Sequence, residues 1–510
     1  MELYNYQTDA VNTTDYNKKG ILVLPTGTGK TMIQSAIIEK DIQNNPNQFR
    51  MYVVNAPRII LTYQLLKEVY SFLVSRGIEC RYHFVHSGTP LDISDLEKLR
   101  VDANQDGNNI PFSQIGSTTS STDLTDVMND TRQLNIPLVI FSTYHSAERI
   151  EMARSFIGQP INIILNDEAH YLVQDRFYDI IDTINTERQY FFTATMKVNV
   201  SEQGRGMNNV SSYGEVICKL LPIEAIEMGK MVRPRIHFVK TIGVRTDEDF
   251  DRSLNKVIHN SFNTQVEYFK TNHPNIVPKI IVATRGSSDI IKFLESEEYS
   301  LLRNIGVEIF AISSNEEIEN DINGVKVKRQ EFLKRIKEVG KDKTKMMLVL
   351  HYDILTEGID VPGLTSCMPI RNLNKSRFIQ TLGRCSRLDS EDRTRLESGE
   401  IDWTDVKEMN KPYSYIILPE ITLTNKDDME QHKQFVLQLR DYGFNPSEDI
   451  VGDKDPLGLP EEEDLDMFNE LNRRAPRNGN IIEFIKNEFE NETIAKLSPL
   501  DYMDRHIPNF

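Results

Sequence analysis

Leu24-Pro25-Thr26-Gly27-Thr28-Gly29-Lys30-Thr31 follows a short apolar run, residues 20–24, and leads into an amphipathic stretch at residues 32–40. Strand, glycine-rich turn and helix in that order are the setting a phosphate-binding loop requires. The glycines let successive backbone N–H groups close around phosphate oxygens, and the helix that follows presents its positive dipole end. Lys30 is placed to neutralise the β- and γ-phosphates of ATP, and the Thr31 hydroxyl to hold Mg²⁺. Thr26, Gly27, Thr28 and Gly29 complete the cradle. Leu24 stands where the G-x-x-x-x-G-K-T pattern usually opens with glycine, so Gly27 carries the turn.

Working outward, short apolar runs recur at residues 51–55, 137–142, 161–166 and 190–193, separated by helix-like segments. Runs of this length bounded by turn signals suit buried parallel strands, and their alternation with helices suggests βαβ units. The run at 161–166 ends in Asp167-Glu168-Ala169-His170. Two acids closing a buried strand cost free energy unless they face a site at the carboxyl edge of the sheet. Asp167 is placed to bind Mg²⁺ through water and Glu168 to orient an attacking water. A second series of runs begins at 279–283 and continues through 307–312, 346–350 and 413–418. The expected fold class is therefore α/β, with two tandem RecA-like domains whose parallel sheets are flanked by helices.

The expected organisation is a first domain over residues 1–232 with a polar surface insertion, containing some helix, at about 87–135. A linker at 233–245 follows, opening on Arg233-Pro234-Arg235, then a second domain over 246–425 and an acidic, mainly helical extension over 426–510. Residues 326–345 are basic and read as a solvated helix in preference to a phosphate-tracking one.

These motifs, in this order, resemble the DEAH-type branch of superfamily 2 helicases, and within it the helicases related to restriction-enzyme translocating subunits and phage repair helicases. The resemblance covers roughly residues 1–420. It implies that Gln7 of Tyr6-Gln7 reads adenine. Ala56-Pro57-Arg58 and Ser142-Thr143-Tyr144 resemble strand-contacting motifs, which implies nucleic-acid contacts from Pro57, Arg58, Ser142 and Thr143. Thr193-Ala194-Thr195 resembles the motif coupling the ATP site to the bound strand, with His170 a further coupling residue because Glu168 already fills the catalytic role. Leu355-Thr356-Glu357-Gly358-Ile359-Asp360 implies a strand contact at Thr356 and nucleotide contacts at Gly358 and Asp360. Arg285, just after a strand of the second domain, is the other candidate strand contact. Gln380-Thr381-Leu382-Gly383-Arg384-Cys385-Ser386-Arg387 matches the arginine-finger motif and assigns catalytic roles to Gln380, Arg384 and Arg387. Two arginines three apart share one helix face, and an arginine finger is worth about 10³–10⁵ in rate.

The net charge of −17 sits oddly with a polyphosphate ligand, but it is unevenly placed: residues 390–510 hold 14 Lys and Arg against 28 Asp and Glu, and residues 1–389 hold 45 against 48. The motif-bearing part is nearly neutral, which excludes a uniformly basic coat protein and leaves local phosphate binding open. Four scattered cysteines without a Cys-x-x-Cys pair argue against a zinc site or a disulfide framework. The first residues lack the basic-then-apolar order of a signal peptide, and no apolar run suits a membrane span, so a soluble intracellular chain is expected. The reading is an ATP- and Mg²⁺-dependent helicase or double-strand translocase, with DNA favoured over RNA as partner. A protein partner for the acidic extension is a further expectation. An RNA helicase, a restriction-type motor subunit and an ATP-gated switch remain as alternatives.

Overall fold

The computed structural model describes residues 3–88, 94, 96–97, 115–199, 204–240, 247–313, 318, 320–352, 361–370, 381–420 and 450–451. The chain divides into two compact units, one ending at Leu220 and one starting at Leu221.

The first unit is built on β1 (Lys19–Val23), β2 (Met51–Ala56), β3 (Arg81–Val85), β4 (Ile115–Thr118), β5 (Leu138–Thr143), β6 (Ile161–Asn166), β7 (Thr186–Thr193) and β8 (Glu215–Lys219). Among the described residues these form one sheet in the order β4-β3-β5-β2-β6-β7-β1-β8, with every pairing parallel. Every residue of β2, β5 and β6 is buried. That is the pattern of central strands covered on both faces, and it is why they read as apolar runs. The covering helices include α1 (Asn5–Thr13), α2 (Lys30–Asn44), α3 (Ile59–Ser75), α4 (Ser121–Leu134) and α5 (Ala147–Ile157). All-parallel connection places the carboxyl ends of β1, β2, β5, β6 and β7 along one edge. Each of the first-domain motifs after Gln7 leaves the sheet there.

Two expectations are corrected. The polar stretch at 87–135 is not wholly an insertion: its second half supplies β4, paired with β3, and α4. Leu124 and Met128 lie one turn apart on α4 and are fully buried in a core shared with α5. These two, with the partly buried Val127, dock a helix whose remaining positions are mostly polar, so composition concealed its place in the core. The expected linker also contributes a strand, β9 (Arg233–Lys240), in the second sheet. Pro234 stands at its start, where a missing N–H is tolerated.

In the second unit β9 is followed by β10 (Lys279–Ala283), β11 (Glu308–Ile312), β12 (Asn320–Ile322), β13 (Val325–Lys326), β14 (Met347–His351), β15 (Ser366–Pro369), β16 (Tyr413–Glu420) and β17 (Ile450–Val451). The order is β13-β12-β11-β14-β10-β15-β16-β9-β17. All pairings are parallel except those of β12 with β11 and β13. The long helix α6 (Asp247–Asn272) buries Phe262 against Val282, Phe293 and Leu348. The basic stretch becomes β13 and the helix α7 (Arg329–Lys341), which buries Phe332, Leu333 and Ile336 and leaves its lysines to the outer face. Apart from residues 450–451, the expected acidic extension lies outside the described residues. No helix among the described residues is long and apolar enough to cross a membrane.

Candidate nucleotide site

The turn from β1 into α2 is held by its own backbone chemistry. Leu24 N–H donates to Thr193 O at 2.9 Å, and the Thr28 hydroxyl donates to Pro25 O at 2.8 Å. Gly27 and Gly29 have φ of 89° and 80°, the left-handed region that favours glycine. Gly29 is also hemmed in: a Cβ there would lie 2.4 Å from Gln7 Nε2. Lys30 opens α2, with Nζ 3.5 Å from Leu24 O across the loop.

Gln7 is buried behind the loop. Its Nε2 donates to Thr28 O at 3.2 Å and its Oε1 accepts from Tyr4 N–H at 3.0 Å, while the Tyr6 hydroxyl donates to the same Thr28 carbonyl at 2.6 Å. The glutamine expected to read adenine thus also braces the phosphate loop. The Thr26 hydroxyl oxygen is buried and has no hydrogen-bond partner. A half-buried loop with an unpaired hydroxyl, two left-handed glycines and a lysine forms a cradle that phosphate oxygens fit.

Asp167 and Glu168 stand at the end of β6, close to this loop. Asp167 is 7% exposed. Its N–H donates to Asn55 O at 2.8 Å, and its Oδ1 accepts from Gln34 Nε2, on the second turn of α2, at 3.0 Å. Burial, and next the Glu168 charge, push its carboxyl up to about 7. Two adjoining carboxylates beside a phosphate loop form a donor set suited to a hard divalent cation held largely through water. Glu168 takes φ of 49°, a left-handed conformation that is uncommon outside glycine and turns its carboxylate away from the strand. His170 Nδ1 lies 3.4 Å from Glu168 Oε2 and 3.2 Å from Thr193 Oγ1. The Thr193 hydroxyl donates its proton to Thr195 O at 2.6 Å. His170 therefore donates from Nδ1, as a neutral ring. Burial, with Lys197 and Lys30 nearby, lowers its pKa to about 3. His170, Thr193 and Thr195 form one connected polar group beside Glu168.

Sequence reasoning missed a buried polar chain linking three strand ends. Asn55 lies in register between Ser142 and Asn166. The Ser142 hydroxyl donates to Asn55 Oδ1 at 2.6 Å, Asn55 Nδ2 donates to Asn166 Oδ1 at 3.2 Å, and Asn166 Nδ2 donates to Tyr190 O at 3.4 Å. Tyr144 OH donates to Asp167 O. Two asparagines interrupting apolar strands were the available signal, since buried amides need partners.

Ser142 and Thr143, expected to touch nucleic acid, are 0% and 3% exposed. Their hydroxyls are engaged internally, Thr143 Oγ1 with Ser146 Oγ at 3.3 Å, so these side chains do not present a contact surface. The physical cause is that β5 is central and covered on both faces. Pro57 is buried, whereas Arg58 is exposed at the start of α3. Arg285 lies in the second unit, paired with buried Asp289 at 2.8 Å and 38% exposed. Arg384 lies among the helical residues 381–385 of the second unit and is 9% exposed, while Arg387 lies two residues beyond them, so the pair does not share the expected helix face. Thr356, Gly358, Asp360 and Gln380 lie outside the described residues.

Residues 1–198 match the family model described as "Type III restriction enzyme, res subunit". The fold is similar to that of the "ATP-dependent Type ISP restriction-modification enzyme LlaBIII bound to DNA", with TM-score 0.63 and 18% identity over 97% of this chain and 35% of that one. It is similar also to a nuclease-deletion mutant of the Type ISP enzyme LlaGI in complex with a DNA substrate mimic (TM-score 0.55, 17% identity, 97% of this chain and 34% of that one). The DUF1998 helicase MrfA bound to DNA gives TM-score 0.51 and 12% identity over 86% of this chain and 48% of that one. The chain spans about a third of the length of the two Type ISP enzymes. No curated protein sequence matches it. The chain is thus similar, in the sequence of its first unit and in its fold, to superfamily 2 helicases related to restriction-enzyme translocases.

Proposed function

We propose that this chain is an ATP-dependent motor on nucleic acid, a helicase or double-strand translocase acting on DNA. The observation that carries the reading is the meeting, at one sheet edge, of a phosphate-shaped loop holding an unpaired buried hydroxyl with two carboxylates at the end of β6. A passive fold gains nothing from buried, unpaired polar groups at such a place.

In this reading the N–H groups of residues 27–31 and the Lys30 ammonium bind the β- and γ-phosphates. Thr31 and Asp167 hold Mg²⁺, which when bound neutralises phosphate charge. Glu168 orients the attacking water and takes up its proton, while Gln34 keeps the Asp167 carboxylate in place. Arg384 and Arg387, with Gln380, supply positive charge and hydrogen bonds to the transferring phosphoryl group. His170, Thr193 and Thr195 transmit the state of Glu168 to the end of β7, and Arg58, Arg285 and Thr356 are proposed contacts to the strand. DNA is favoured as the track because all three of the similar structures above hold DNA or a DNA mimic.

The test is steady-state ATP hydrolysis without nucleic acid and with single-stranded DNA, forked duplex DNA or RNA. Stimulation by DNA beyond RNA is expected. Glu168→Gln should lower kcat by about 10²–10⁴-fold while nucleotide still binds. Equal or greater stimulation by RNA replaces the DNA reading with an RNA helicase. Hydrolysis that no nucleic acid stimulates replaces the motor with an ATP-gated switch.

A further inference from the structure

The last three carbonyls of the arginine-bearing segment are each taken by a donor from a distant part of the second unit. Lys411 Nζ donates to Cys385 O at 2.6 Å and to Arg387 O at 2.7 Å. Between them, Ser386 O accepts from Val232 N–H at 2.9 Å, and Ser386 Oγ meets Ser414 Oγ at 3.0 Å. Lys411 is only 4% exposed. Its own backbone is fixed in turn, because Lys411 N–H and Asn410 N–H each donate at 2.8 Å to the fully buried carboxylate of Asp392.

A helix end leaves carbonyls without partners, and its negative dipole end favours a cation. Water or backbone N–H groups usually serve, as Val232 does for Ser386. Burying an ammonium is costly by comparison, and burial lowers the pKa of this lysine to about 8. What the lysine adds is reach: one head group, with three donors, grips two carbonyls separated by a residue. Both gripped peptides flank the arginines. Cys385 follows Arg384 directly, and the second carbonyl is that of Arg387 itself. The grip therefore sets the directions in which both guanidinium groups leave the backbone.

We propose that Lys411 is a positioning residue for Arg384 and Arg387, holding the segment from Cys385 to Arg387 in the one geometry that serves the transition state. The inference rests on the reading above, in which these arginines act in ATP hydrolysis. Misplacement of a catalytic group by about 1 Å can cost roughly 100-fold in rate.

The experiment compares Lys411→Met and Lys411→Gln with the wild-type full-length chain, measuring kcat and KM for ATP, affinity for a fluorescent ATP analogue, and the thermal midpoint. Lys411→Met should lower kcat roughly 10- to 100-fold, with analogue affinity and KM within about threefold, because the phosphate loop belongs to the other unit. Lys411→Gln keeps a neutral donor on a shorter stem and should fall between. A kcat for Lys411→Met within twofold of wild type overturns the proposal. So does a loss of kcat matched by an equal loss of nucleotide affinity. If Lys411→Met does not fold, a wild-type kcat in Lys411→Gln overturns it. A wild-type chain that hydrolyses no ATP instead overturns the functional reading, and this inference with it.

Discussion

Thr26 shows how a single atom separates folding from binding. Its hydroxyl is buried in the phosphate loop with no partner, in a loop where the neighbouring Thr28 hydroxyl is satisfied by Pro25 O. An unsatisfied buried group costs about 1–3 kcal/mol, so the fold alone has no use for it. A ligand oxygen supplies the missing partner. Thr26→Val keeps the β-branched shape and deletes the hydroxyl. It should leave the thermal midpoint unchanged or slightly higher, while affinity for an ATP analogue falls about 3- to 10-fold, the worth of one ordinary hydrogen bond. Calorimetry and analogue titration together check it. Lower stability at unchanged affinity would mean that Thr26 serves the fold and not the ligand. Gln7 contrasts with Thr26, since both polar atoms of its amide are engaged with backbone.

At the scale of elements, α4 sets the limit of what pattern reading recovers. Leu124 and Met128 are fully buried, and their core includes Met51 and Val53 of β2 and Ile140 of β5, two strands whose carboxyl ends carry site residues. Leu124→Ala should therefore destabilise the first unit by about 2–5 kcal/mol, as large-to-small changes in packed cores do. Denaturant unfolding monitored by circular dichroism measures this. A cost below about 0.5 kcal/mol, the surface value, would return the segment to the status of an insertion. The central strands β2, β5 and β6 were legible because double-sided burial leaves an unbroken apolar run. The phosphate loop was legible because its chemistry demands glycine and lysine at fixed spacing. β3, β4 and β8 were not, since Arg81, Gly116, Ser117, Glu215 and Lys219 interrupt them, and a sheet edge tolerates such residues. Gln34 escaped because a glutamine on the second turn of a helix carries no signal until Asp167 is placed beside it. The Asn55–Asn166 pair escaped because register, which joins them, is not written in either strand alone.

For the molecule as a whole, buried histidines make both units sensitive to acid. Burial lowers His83 to about 4, His170 to about 3 and, with Arg149 nearby, His86 as well in the first unit, and His237 and His273 to about 4 in the second. A group whose folded pKa lies below its unfolded value contributes stability that is complete above the unfolded pKa, about 6.5 for histidine. That stability is lost as pH falls toward the folded pKa, because the unfolded chain binds the proton first. Asp167, raised to about 7, has the opposite sign and gains stability as pH falls below that value. It belongs to the first unit and offsets one of the three histidines there. In the second unit Asp321 and Asp392 are also raised, which softens the acid loss in the same sense. Ordinary carboxylates titrate below about 5, so a range of pH 7.5 to 5.5 isolates histidine. Each uncompensated proton is worth up to about 1.4 kcal/mol per pH unit, so both units should lose stability across this range. The single tryptophan, Trp403, lies in the second unit and reports it separately. Over this range the thermal midpoint followed by Trp403 fluorescence should fall, as should the midpoint followed by far-ultraviolet circular dichroism, which averages both units. A Trp403 midpoint that does not move with pH would mean that His237 and His273 gain their protons without unfolding, and that their burial is shallower than the fold places it.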